Sequence, residues 1–294
     1  MAQFQFKKAQ RKGIYARIAI LGPTGGGKTY SALSIATGLV EGSGKRIAVI
    51  DTERSSADRY ADVFDFDKLD LTMYSPDTYV EAIKAIDPEV YGAVVIDSLT
   101  HAWTGKDGAL EQVDKAAVRS GGGNKFAGWR DVTPMHNRLV DAMLSIQAHL
   151  VVTMRSKMEY ILEEDERGRK VPKKVGMAPI QRDGMEYELD IVGDMTTDNK
   201  MVISKSRASF LAGEVINKPG VELGRRILEW CGTVEPKPWE PTDEDIKDLV
   251  ALAKTHDKTP DEVVSTAKAL FDKHPRQLDK AEWDNLTKQI KGEA

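Results

Sequence analysis

The segment GPTGGGKT, residues 22–29, contains the residue types needed to bind a phosphate chain. It matches the pattern G-x-x-x-x-G-K-[ST] and lies between a strand-like apolar run and a helix-like run. The glycines let backbone N–H groups turn toward a β-phosphate, and the helix N-terminus favours negative charge. In such a loop Lys28 reaches the β- and γ-phosphate oxygens, and the Thr29 hydroxyl ligates Mg²⁺. With ATP and Mg²⁺ as the expected cofactors, the candidate nucleotide-binding residues are Gly22, Pro23, Thr24, Gly25, Gly26, Gly27, Lys28, Thr29 and Tyr30.

Two acidic residues follow apolar runs at positions suited to metal binding and hydrolysis. Asp97 ends the run VVID, where a phosphate loop needs an acid to hold its metal ion, so Thr29 and Asp97 are the expected metal ligands. Glu53, in VIDTER, lies just beyond the strand-like run that follows the phosphate-loop helix, where it can orient or deprotonate water. Asp51 is the weaker candidate for this role, and a plain surface position is the other interpretation of Glu53.

The segment VVTMRSK ends a further strand-like run with polar residues. Thr153 and Arg155 are therefore expected to face the nucleotide and to sense its γ-phosphate. For Arg155 the alternative is an ion pair with one of the nearby acids.

The segment ISKSRAS contains two cations, Lys205 and Arg207, two residues apart. On an extended chain both project from the same face as Met201 and Ile203. Either the strand leaves its sheet for water at this point, or the cations have an anionic partner. The segment itself leaves both interpretations open.

Alternating strand-like and helix-like runs predict an α/β fold with a mainly parallel central sheet and helices on both faces. The predicted strands cover residues 14–21, 46–51, 69–75, 91–98 and 149–154, and the predicted helices cover 30–40, 76–86 and 134–147. After residue 154 the pattern predicts additional antiparallel strands. These are a hairpin with a charged tip at 163–169 and two strands joined by residues 196–199, and a helix over 221–231 follows them.

The residue composition changes toward the end of the chain. Three prolines in GTVEPKPWEPT indicate a stiff linker, and three short helical patterns follow over 243–255, 260–272 and 279–290. The predicted domains are a core of residues 1–232 with a basic N-terminal arm (1–13), a linker (233–242) and a small helical C-terminal module (243–294).

The composition is that of a globular protein without a membrane segment. The chain has 294 residues, 41% hydrophobic and 30% charged, with a formal net charge of −4. It has neither an apolar run of about 18 residues nor a hydrophobic signal core. The single cysteine, Cys231, excludes an internal disulfide, and the five scattered histidines give no zinc-ligand spacing. We therefore expect a cytoplasmic protein with no membrane partner.

The phosphate loop, VIDTER, VVIDS and VVTMRS together resemble RecA-like ATPases, which carry the catalytic glutamate after the second strand. The segments FKKAQRK, GPTGGGKTYSALSIATGL, IAVIDTERSSADRYAD, IDSLTHAW and VISKSRA further resemble a phage and prophage family of core-only RecA-type ATPases. That family includes the Sak-four single-strand annealing recombinases. The resemblance extends from Phe6 to about Ala208 and implies a RecA-like core in a phage or prophage protein of a bacterial host.

In RecA-like recombinases two loops bind single-stranded DNA. The matching positions in this sequence are residues 119–130 and 157–182. The first combines three glycines with cations and aromatics, which suits backbone contacts and base stacking. The second contains a basic run over 167–182 without an acid. An ordinary solvated surface is the alternative for each. The candidate DNA-binding residues are Lys125, Phe126, Trp129, Arg130, Arg167, Arg169, Lys170, Lys173 and Lys174.

The resemblance also implies an oligomer, either a ring or a filament. In RecA-like ring ATPases a Lys-x-Arg pair on a late strand enters the neighbouring subunit's site, and Lys205 and Arg207 match that pair in order and spacing. The catalytic set implied is thus Lys28, Glu53, Lys205 and Arg207. FKKA, residues 6–9, fits the F-x-x-A pattern by which strand-exchange recombinases contact the next subunit.

The expected function is that of a Mg²⁺-ATP-dependent oligomeric ATPase that binds single-stranded DNA and promotes annealing or homologous recombination of phage DNA. The acidic C-terminal module is expected to bind a partner such as a single-strand DNA-binding protein. One alternative is a hexameric helicase or helicase-loading motor. Another is an ATP-switched assembly protein that does not bind nucleic acid.

Overall fold

The structure, a computed structural model, describes residues 13–119, 124–164, 170–232, 241–256, 258–278 and 280–292. The chain divides into two compact units, Met1–Val234 and Glu235–Ala294. Residues 1–12 of the predicted basic arm and residues 233–240 of the predicted linker lie outside the described residues.

The strands of the first unit follow the apolar runs of the sequence. β1 is buried along its whole length, as expected for a central strand covered on both faces. The strands are β1 Arg17–Gly22, β2 Arg46–Asp51, β3 Asp67–Asp70, β4 Tyr91–Asp97, β5 His149–Glu164, β6 Lys170–Pro179, β7 Ile191–Met195, β8 Lys200–Ser206 and β9 Val215–Asn217.

Local capping sets the start of α2, one of the helices of the first unit. Pro76 is the first residue of α2, and the Ser75 side chain accepts a hydrogen bond from Thr78 N. None of the described helices is long and apolar enough to cross a membrane. The helices are α1 Lys28–Val40, α2 Pro76–Lys84, α3 His101–Thr104, α4 Ala109–Arg119, α5 Lys125–Ser145, α6 Met185–Glu188 and α7 Val221–Cys231.

The strand order brings the ends of the central strands side by side. Among the described residues the order is β3-β2-β4-β5-β1-β7-β8-β9, with β6 paired to β5. All pairs from β3 to β7 are parallel, whereas β7–β8, β8–β9 and β5–β6 are antiparallel. The predicted RecA-like α/β sheet, mainly parallel with additional antiparallel strands, is confirmed. The C-terminal ends of its parallel strands form one edge, which we call the carboxyl edge.

Two apolar layers cover the sheet. α1 and α7 supply the buried residues of one layer, including Leu33, Ile35 and Ile227. α2 and α5 supply the other, including Tyr79 and Leu139. Burial of these side chains on both faces fixes the strands and hence the positions of their C-terminal ends.

The helices α1 and α7 touch through their backbones. A Cβ on Gly38 would lie 2.1 Å from Val221 O, and one on Gly224 would lie 2.2 Å from Ile35 O. No other residue type fits either position without a shift of one helix. This contact holds the helix that follows the phosphate loop in a fixed position.

The region around residues 119–134 differs from its prediction. The helix predicted to begin at Pro134 begins instead at Lys125, where Asn124 Oδ1 accepts a hydrogen bond from Phe126 N (3.0 Å). Pro134 lies inside α5 at an exposed position, so the carbonyl that lacks its usual N–H partner can face water. The loop predicted over 119–130 is therefore helical from residue 125, and residues 120–123 lie outside the described residues.

Three other boundaries differ from the sequence pattern. β5 continues beyond residue 154 to Glu164 and pairs with β6, which confirms the predicted hairpin, although its tip at 165–169 lies outside the described residues. The strand predicted over 69–75 is the shorter and earlier β3. The residues before β7 form the short helix α6 rather than the start of a strand.

The second unit is a small helical module in its own right. Its helices are α8 Asp243–Thr255, α9 Pro260–Phe271 and α10 Lys280–Lys291, each within one residue of its predicted range. Thr242 and Thr259 begin α8 and α9 with capping boxes, which explains why the sequence marked these boundaries clearly. The apolar cluster of the module contains Leu249, Ala253, Val263, Ala267, Leu278, Trp283, Leu286 and Ile290.

A buried histidine, His149, connects the start of β5 to the segment before β1, at the edge of the sheet opposite the carboxyl edge. His149 Nδ1 accepts a hydrogen bond from Ala16 N (3.1 Å), and the Tyr15 ring packs edge-on against the imidazole, with 5.5 Å between the ring centroids. Burial, with a smaller contribution from Arg17, lowers the pKa of His149 from its ordinary 6.5 to about 4. The neutral imidazole is therefore the form that fits the fold.

We expect this histidine to make the core acid-sensitive. The pKa of His149 in the folded state lies below its pKa in the unfolded state. The contribution of His149 to the free energy of unfolding is therefore complete above about pH 6.5 and is lost as the pH falls toward 4. The full loss corresponds to about 3 kcal/mol of unfolding free energy. Urea titrations at pH 7 and pH 4.5 should show a smaller drop for His149→Asn, which keeps an acceptor, than for the wild type.

The exposed His256 provides the control for this measurement, and His256→Asn should retain the wild-type pH dependence. An equal drop in the wild type and in His149→Asn would show that His149 does not cause the acid sensitivity.

Candidate nucleotide-binding and hydrolysis site

The phosphate loop joins the end of β1 to the start of α1 at the carboxyl edge. Gly27, the residue before α1, has φ 80°, in the left-handed region that favours glycine. A Cβ at Gly27 would also lie 2.7 Å from Asn199 Oδ1. Because Gly27 has no side chain to cap the 13-residue α1, the N–H groups of the first turn are available to an anion. Residues 22–27 thus form a cradle at the positive end of this helix.

Lys28 lies against this loop, and its Nζ donates a hydrogen bond to Pro23 O (2.8 Å). Burial lowers the pKa of Lys28, while the nearby carboxylates of Asp97 and Glu53 raise it. A phosphate chain in the cradle would offset the cost of burying the ammonium group. The position of Lys28 therefore suits the phosphate-binding role expected from the sequence.

Asp97, the last residue of β4, is hydrogen-bonded to side chains of α1 and β5. It is 2% exposed, and it accepts hydrogen bonds from Thr29 Oγ1 (2.6 Å, to Oδ2) and from the Thr153 hydroxyl (to Oδ1). Burial raises the pKa of Asp97, and the two threonine hydroxyls act in the opposite direction. A hydroxyl and a carboxylate on adjacent elements are the oxygen ligands that Mg²⁺ prefers. Thr29 and Asp97 therefore fit a magnesium ion that is completed by nucleotide phosphates and water.

The described part of the chain has no group of three His, Cys, Asp or Glu side chains arranged to hold a metal ion. Thr29 and Asp97 are only two protein ligands. A magnesium ion here would thus depend on the nucleotide for several of its ligands. A metal–nucleotide complex of this kind is usual for phosphate loops.

Glu53 lies at the carboxyl edge beside Arg155, and the two side chains form a bidentate ion pair. Arg155 Nε donates to Glu53 Oε1 (3.1 Å), and Arg155 Nη2 donates to Oε2. The Glu53 side chain is 22% exposed and the Arg155 side chain 41% exposed, so the pair borders the solvent-facing site. Of the two interpretations of Arg155 from the sequence, the pairing with an acid is the one observed.

Asp51 has a different environment. Its Oδ1 accepts a hydrogen bond from Glu53 N (2.7 Å) and its Oδ2 accepts one from Ala57 N (3.1 Å). Asp51 is 1% exposed, and the residues between these contacts include Arg54 and Ser55 at positive φ. Asp51 therefore stabilises the turn that carries Glu53, and Glu53 remains the acid at the surface of the site.

Sequence reasoning missed a histidine at this edge. His101 Nδ1 lies 2.7 Å from Thr52 Oγ1, and the His101 ring packs on Tyr74 with 5.0 Å between centroids. Thr52 Oγ1 in turn accepts a hydrogen bond from Ser98 N (2.8 Å). Burial lowers the pKa of His101, whereas Glu53 raises it. The segment IDSLTHAW contains His101, but no spacing rule connects this first residue of α3 with Thr52, which follows the end of β2.

A cavity of about 450 Å³ opens beside the phosphate loop. Asn199 and Lys218, both at positive φ, line it opposite the start of α1, and neither was a candidate from the sequence. The Tyr30 ring, 46% exposed, also lines the cavity and packs edge-on against Phe64. The full lining is Gly27, Tyr30, Ser31, Ser34, Asn199, Lys218, Pro219 and Gly220. This cavity has the size and position for the base and ribose of a nucleotide held in the loop.

The phosphate loop, the two acids at the ends of separate strands and the sheet order agree with a comparison of the sequence with known families. The profile of a family described as AAA domain matches residues 14–217. The chain belongs to the AAA domain family. Family membership and the RecA-like core support a nucleotide-dependent ATPase. A KaiC-like protein from the hyperthermophilic archaeon Pyrococcus horikoshii OT3 is similar at 17% identity over 71% of this chain and 88% of that chain, with a TM-score of 0.38. No curated protein matched the sequence.

In this AAA domain, Lys205 and Arg207 lie far from the phosphate loop of their own chain. Ser206 pairs with Ile191, at the start of β7, so both cations lie at the edge of the sheet opposite the carboxyl edge. Lys205 Nζ donates to the carbonyls of Glu186 (3.0 Å), Tyr187 (2.6 Å) and Leu189 (2.7 Å). Lys205 thus stabilises the end of α6 within its own chain.

Arg207 is the more exposed of the two cations. Its Nη1 donates to Asp190 Oδ1 (2.9 Å), and its side chain is 59% exposed. Asp190 Oδ2 also accepts a hydrogen bond from Arg17 N (2.9 Å), which ties Asp190 to β1. Of the two interpretations of these cations, the one with an anionic partner holds for Arg207 within this chain, and the partner is Asp190.

The candidate DNA-binding residues of the AAA domain have different environments. Phe126 is 87% exposed at the start of α5, and Lys125 forms an exposed ion pair with Asp114 (3.0 Å). Trp129 instead stacks on Trp103, with 5.5 Å between ring centroids, in the apolar cluster between α4 and α5. Arg130 is exposed on α5, Lys170, Lys173 and Lys174 lie on β6, and Arg167 and Arg169 lie outside the described residues.

Proposed function

We propose that the protein is an oligomeric, Mg²⁺-ATP-dependent ATPase that binds single-stranded DNA and promotes annealing or recombination, as in the phage family that its sequence resembles. ATP is the substrate of the site at the carboxyl edge. Single-stranded DNA is the ligand of the β5–β6 hairpin and of the exposed start of α5.

The observation that carries this proposal is the continuity of β5. The strand pairs in parallel with β1 up to Arg155, and from Ser156 onward it pairs with β6. Nine positions of β5, Ser156 to Glu164, pair in this hairpin, which corresponds to about 27 Å of strand. A single strand therefore links the nucleotide site to a hairpin whose second strand, β6, carries Lys170, Lys173 and Lys174 without an acid, and this link supports coupling between ATP and a polyanion.

The nucleotide site supports hydrolysis as well as binding. Residues 22–29 would hold the phosphates, Thr29 and Asp97 would hold the magnesium ion, and Glu53 would orient or deprotonate the attacking water. The metal, when bound, supplies charge neutralisation at the phosphates. Assembly into a ring or filament would bring Arg207 of one subunit to the site of the next.

The hairpin cations provide a test of DNA binding. We expect binding of single-stranded DNA to weaken with salt, with a log–log slope of about −0.7 per phosphate contacted. The double variant Lys170→Gln/Lys174→Gln, at two positions on the same face of β6, should make this slope less steep by about 1.4, because two phosphate contacts are lost. The measurement is fluorescence anisotropy of a labelled oligonucleotide over a salt series. Lys45→Gln is the matched control, because Lys45 Nζ donates to Pro88 O away from the hairpin.

The same protein preparations separate the alternative functions. A preparation that binds ATP but not single-stranded DNA at low salt contradicts the DNA-binding proposal and favours an ATP-switched assembly protein. Strand displacement on a forked substrate, without annealing of complementary strands, favours a helicase or helicase loader. ATP-stimulated annealing of complementary strands is the expected result.

A further inference from the structure

The residue before Glu53 is held by the end of β4. Thr52 is buried, its N–H donates to Asp97 O (2.7 Å), and its Oγ1 accepts a hydrogen bond from Ser98 N (2.8 Å). Thr52 Oγ1 also donates to Ser98 O (3.1 Å). These contacts join the turn that carries the expected water-orienting acid to the residues around the expected metal ligand. The separation of Glu53 from Asp97 therefore depends on the place of Thr52.

His101 binds the Thr52 hydroxyl from the first residue of α3, with 2.7 Å between Nδ1 and Oγ1. This distance is shorter than either contact of the hydroxyl with Ser98. The one hydroxyl hydrogen of Thr52 is donated to Ser98 O, so Nδ1 of His101 carries the hydrogen of this bond. The imidazole therefore holds the hydroxyl in the orientation that reaches the end of β4.

The imidazole of His101 is itself fixed by its surroundings. Its ring packs on the Tyr74 ring, and the His101 carbonyl accepts a hydrogen bond from Gly105 N (2.9 Å). A Cβ on Gly105 would lie 2.6 Å from His101 O and 2.8 Å from Tyr74 Cδ2, so the chain after α3 closes tightly around both residues. A side chain held in this way is suited to positioning another group.

We propose that His101 is a positioning residue for hydrolysis, which sets the place of Glu53 relative to Asp97 through its hydrogen bond to Thr52. This inference rests on the proposed function, since it concerns the water-orienting acid of the same ATPase site. In this role His101 transfers no proton and acts through the hydrogen on Nδ1. Loss of that donor leaves the phosphate loop in place but lets the turn at Glu53 shift, and a shift of about 1 Å can cost about 10²-fold in rate.

The test compares His101→Phe with His101→Asn in ATP turnover and in binding of a fluorescent ATP analogue with Mg²⁺. Phe keeps a ring to pack on Tyr74 but has no donor, whereas the amide nitrogen of Asn is bonded to Cγ, as Nδ1 is in His, and keeps an N–H near the same place. We expect kcat to fall by about 10- to 10²-fold in His101→Phe and by less than about threefold in His101→Asn. KM for ATP and affinity for the analogue should stay within about twofold in both, because the phosphate loop is unchanged.

Variants of Thr52 show whether His101 acts through this residue. Thr52→Val should lower kcat at least as much as His101→Phe, and Thr52→Ser, which keeps the hydroxyl, should retain most of the turnover. Adding His101→Phe to Thr52→Val should change kcat by less than about twofold, because the bond is already absent. His256→Leu, at an exposed histidine of the C-terminal module, is the control and should leave turnover unchanged. Thermal melting establishes which variants are folded, and the Thr52 pair decides the question if His101→Phe is not.

Equal losses of kcat in His101→Phe and His101→Asn would overturn the proposal and give the imidazole a role of its own. Wild-type turnover in His101→Phe would overturn it as well, as would a full second loss when His101→Phe is added to Thr52→Val. If the wild type hydrolyses ATP but does not bind single-stranded DNA, the proposed function fails, whereas a loss of kcat in His101→Phe alone still supports the positioning role. If the wild type binds ATP without hydrolysing it, the positioning role is excluded while nucleotide binding stands.

Discussion

Replacement of Glu53 by Gln is expected to lower kcat for ATP hydrolysis by about 10²- to 10⁴-fold and to leave ATP affinity within about twofold. The amide keeps the size of the side chain but cannot accept a proton from water, and general-base catalysis contributes a factor of this order. The Asp51 hydrogen bonds that hold the turn use the backbone N–H groups of residues 53 and 57 and remain possible in the variant. Phosphate release under saturating ATP and equilibrium binding of an ATP analogue are the two measurements.

Glu81→Gln is the matched control, because Glu81 is exposed on α2 and its replacement should change neither quantity. Turnover close to the wild-type value in Glu53→Gln would remove Glu53 from the chemistry. Loss of ATP binding together with turnover would indicate instead that Glu53 supports the shape of the site.

Replacement of Arg207 by Ala is expected to lower turnover by about 10³- to 10⁵-fold, the usual effect of losing an arginine that stabilises charge on a γ-phosphate. ATP binding should persist, because Arg207 lies level with the start of β1, about 16 Å of strand away from the end at Gly22. At that distance Arg207 does not reach the nucleotide of its own chain, so the proposed role requires the nucleotide of a neighbouring subunit. Arg225→Ala, which removes an exposed ion pair with Glu41, is the control.

A mixing experiment tests the action between subunits directly. Glu53→Gln and Arg207→Ala proteins, each inactive alone, should regain part of the wild-type turnover when mixed. The active interfaces pair the intact Glu53 of one variant with the intact Arg207 of the other. Turnover that stays at the level of the inactive variants after mixing would contradict a shared site, as would full activity of Arg207→Ala alone.

The parts of the site that the sequence predicted are those that depend on local pattern. The phosphate loop has a fixed spacing, and Asp97 and Glu53 each follow a short apolar strand, so strand alternation alone places them at one edge. The antiparallel strands β7 and β8 were also predictable, because the turn at 196–199 separates two apolar runs. In each case the signal lies within about ten residues.

The parts that were missed depend on contacts between distant segments. His101 meets Thr52 only because β2 and β4 are neighbours, and Asn199 and Lys218 meet the phosphate loop only because β7 lies beside β1. The start of α5 was missed for a different reason. The glycines at 121–123 and Pro134 are signals that usually end or begin a helix, and here packing of α5 against α4 overrides the proline signal.

The placement of Arg207 and the phosphate loop at opposite edges of one sheet restricts how copies of this chain can share a site. In a two-fold dimer the contact is reciprocal, so each Arg207 would meet the other phosphate loop only if both edges lay within one self-complementary surface. A head-to-tail arrangement needs only one edge of each copy at a given contact, and it either closes on itself or grows from both ends. In an open row every subunit except a terminal one has a complete site. Specific activity would then rise with protein concentration until rows are long or closed.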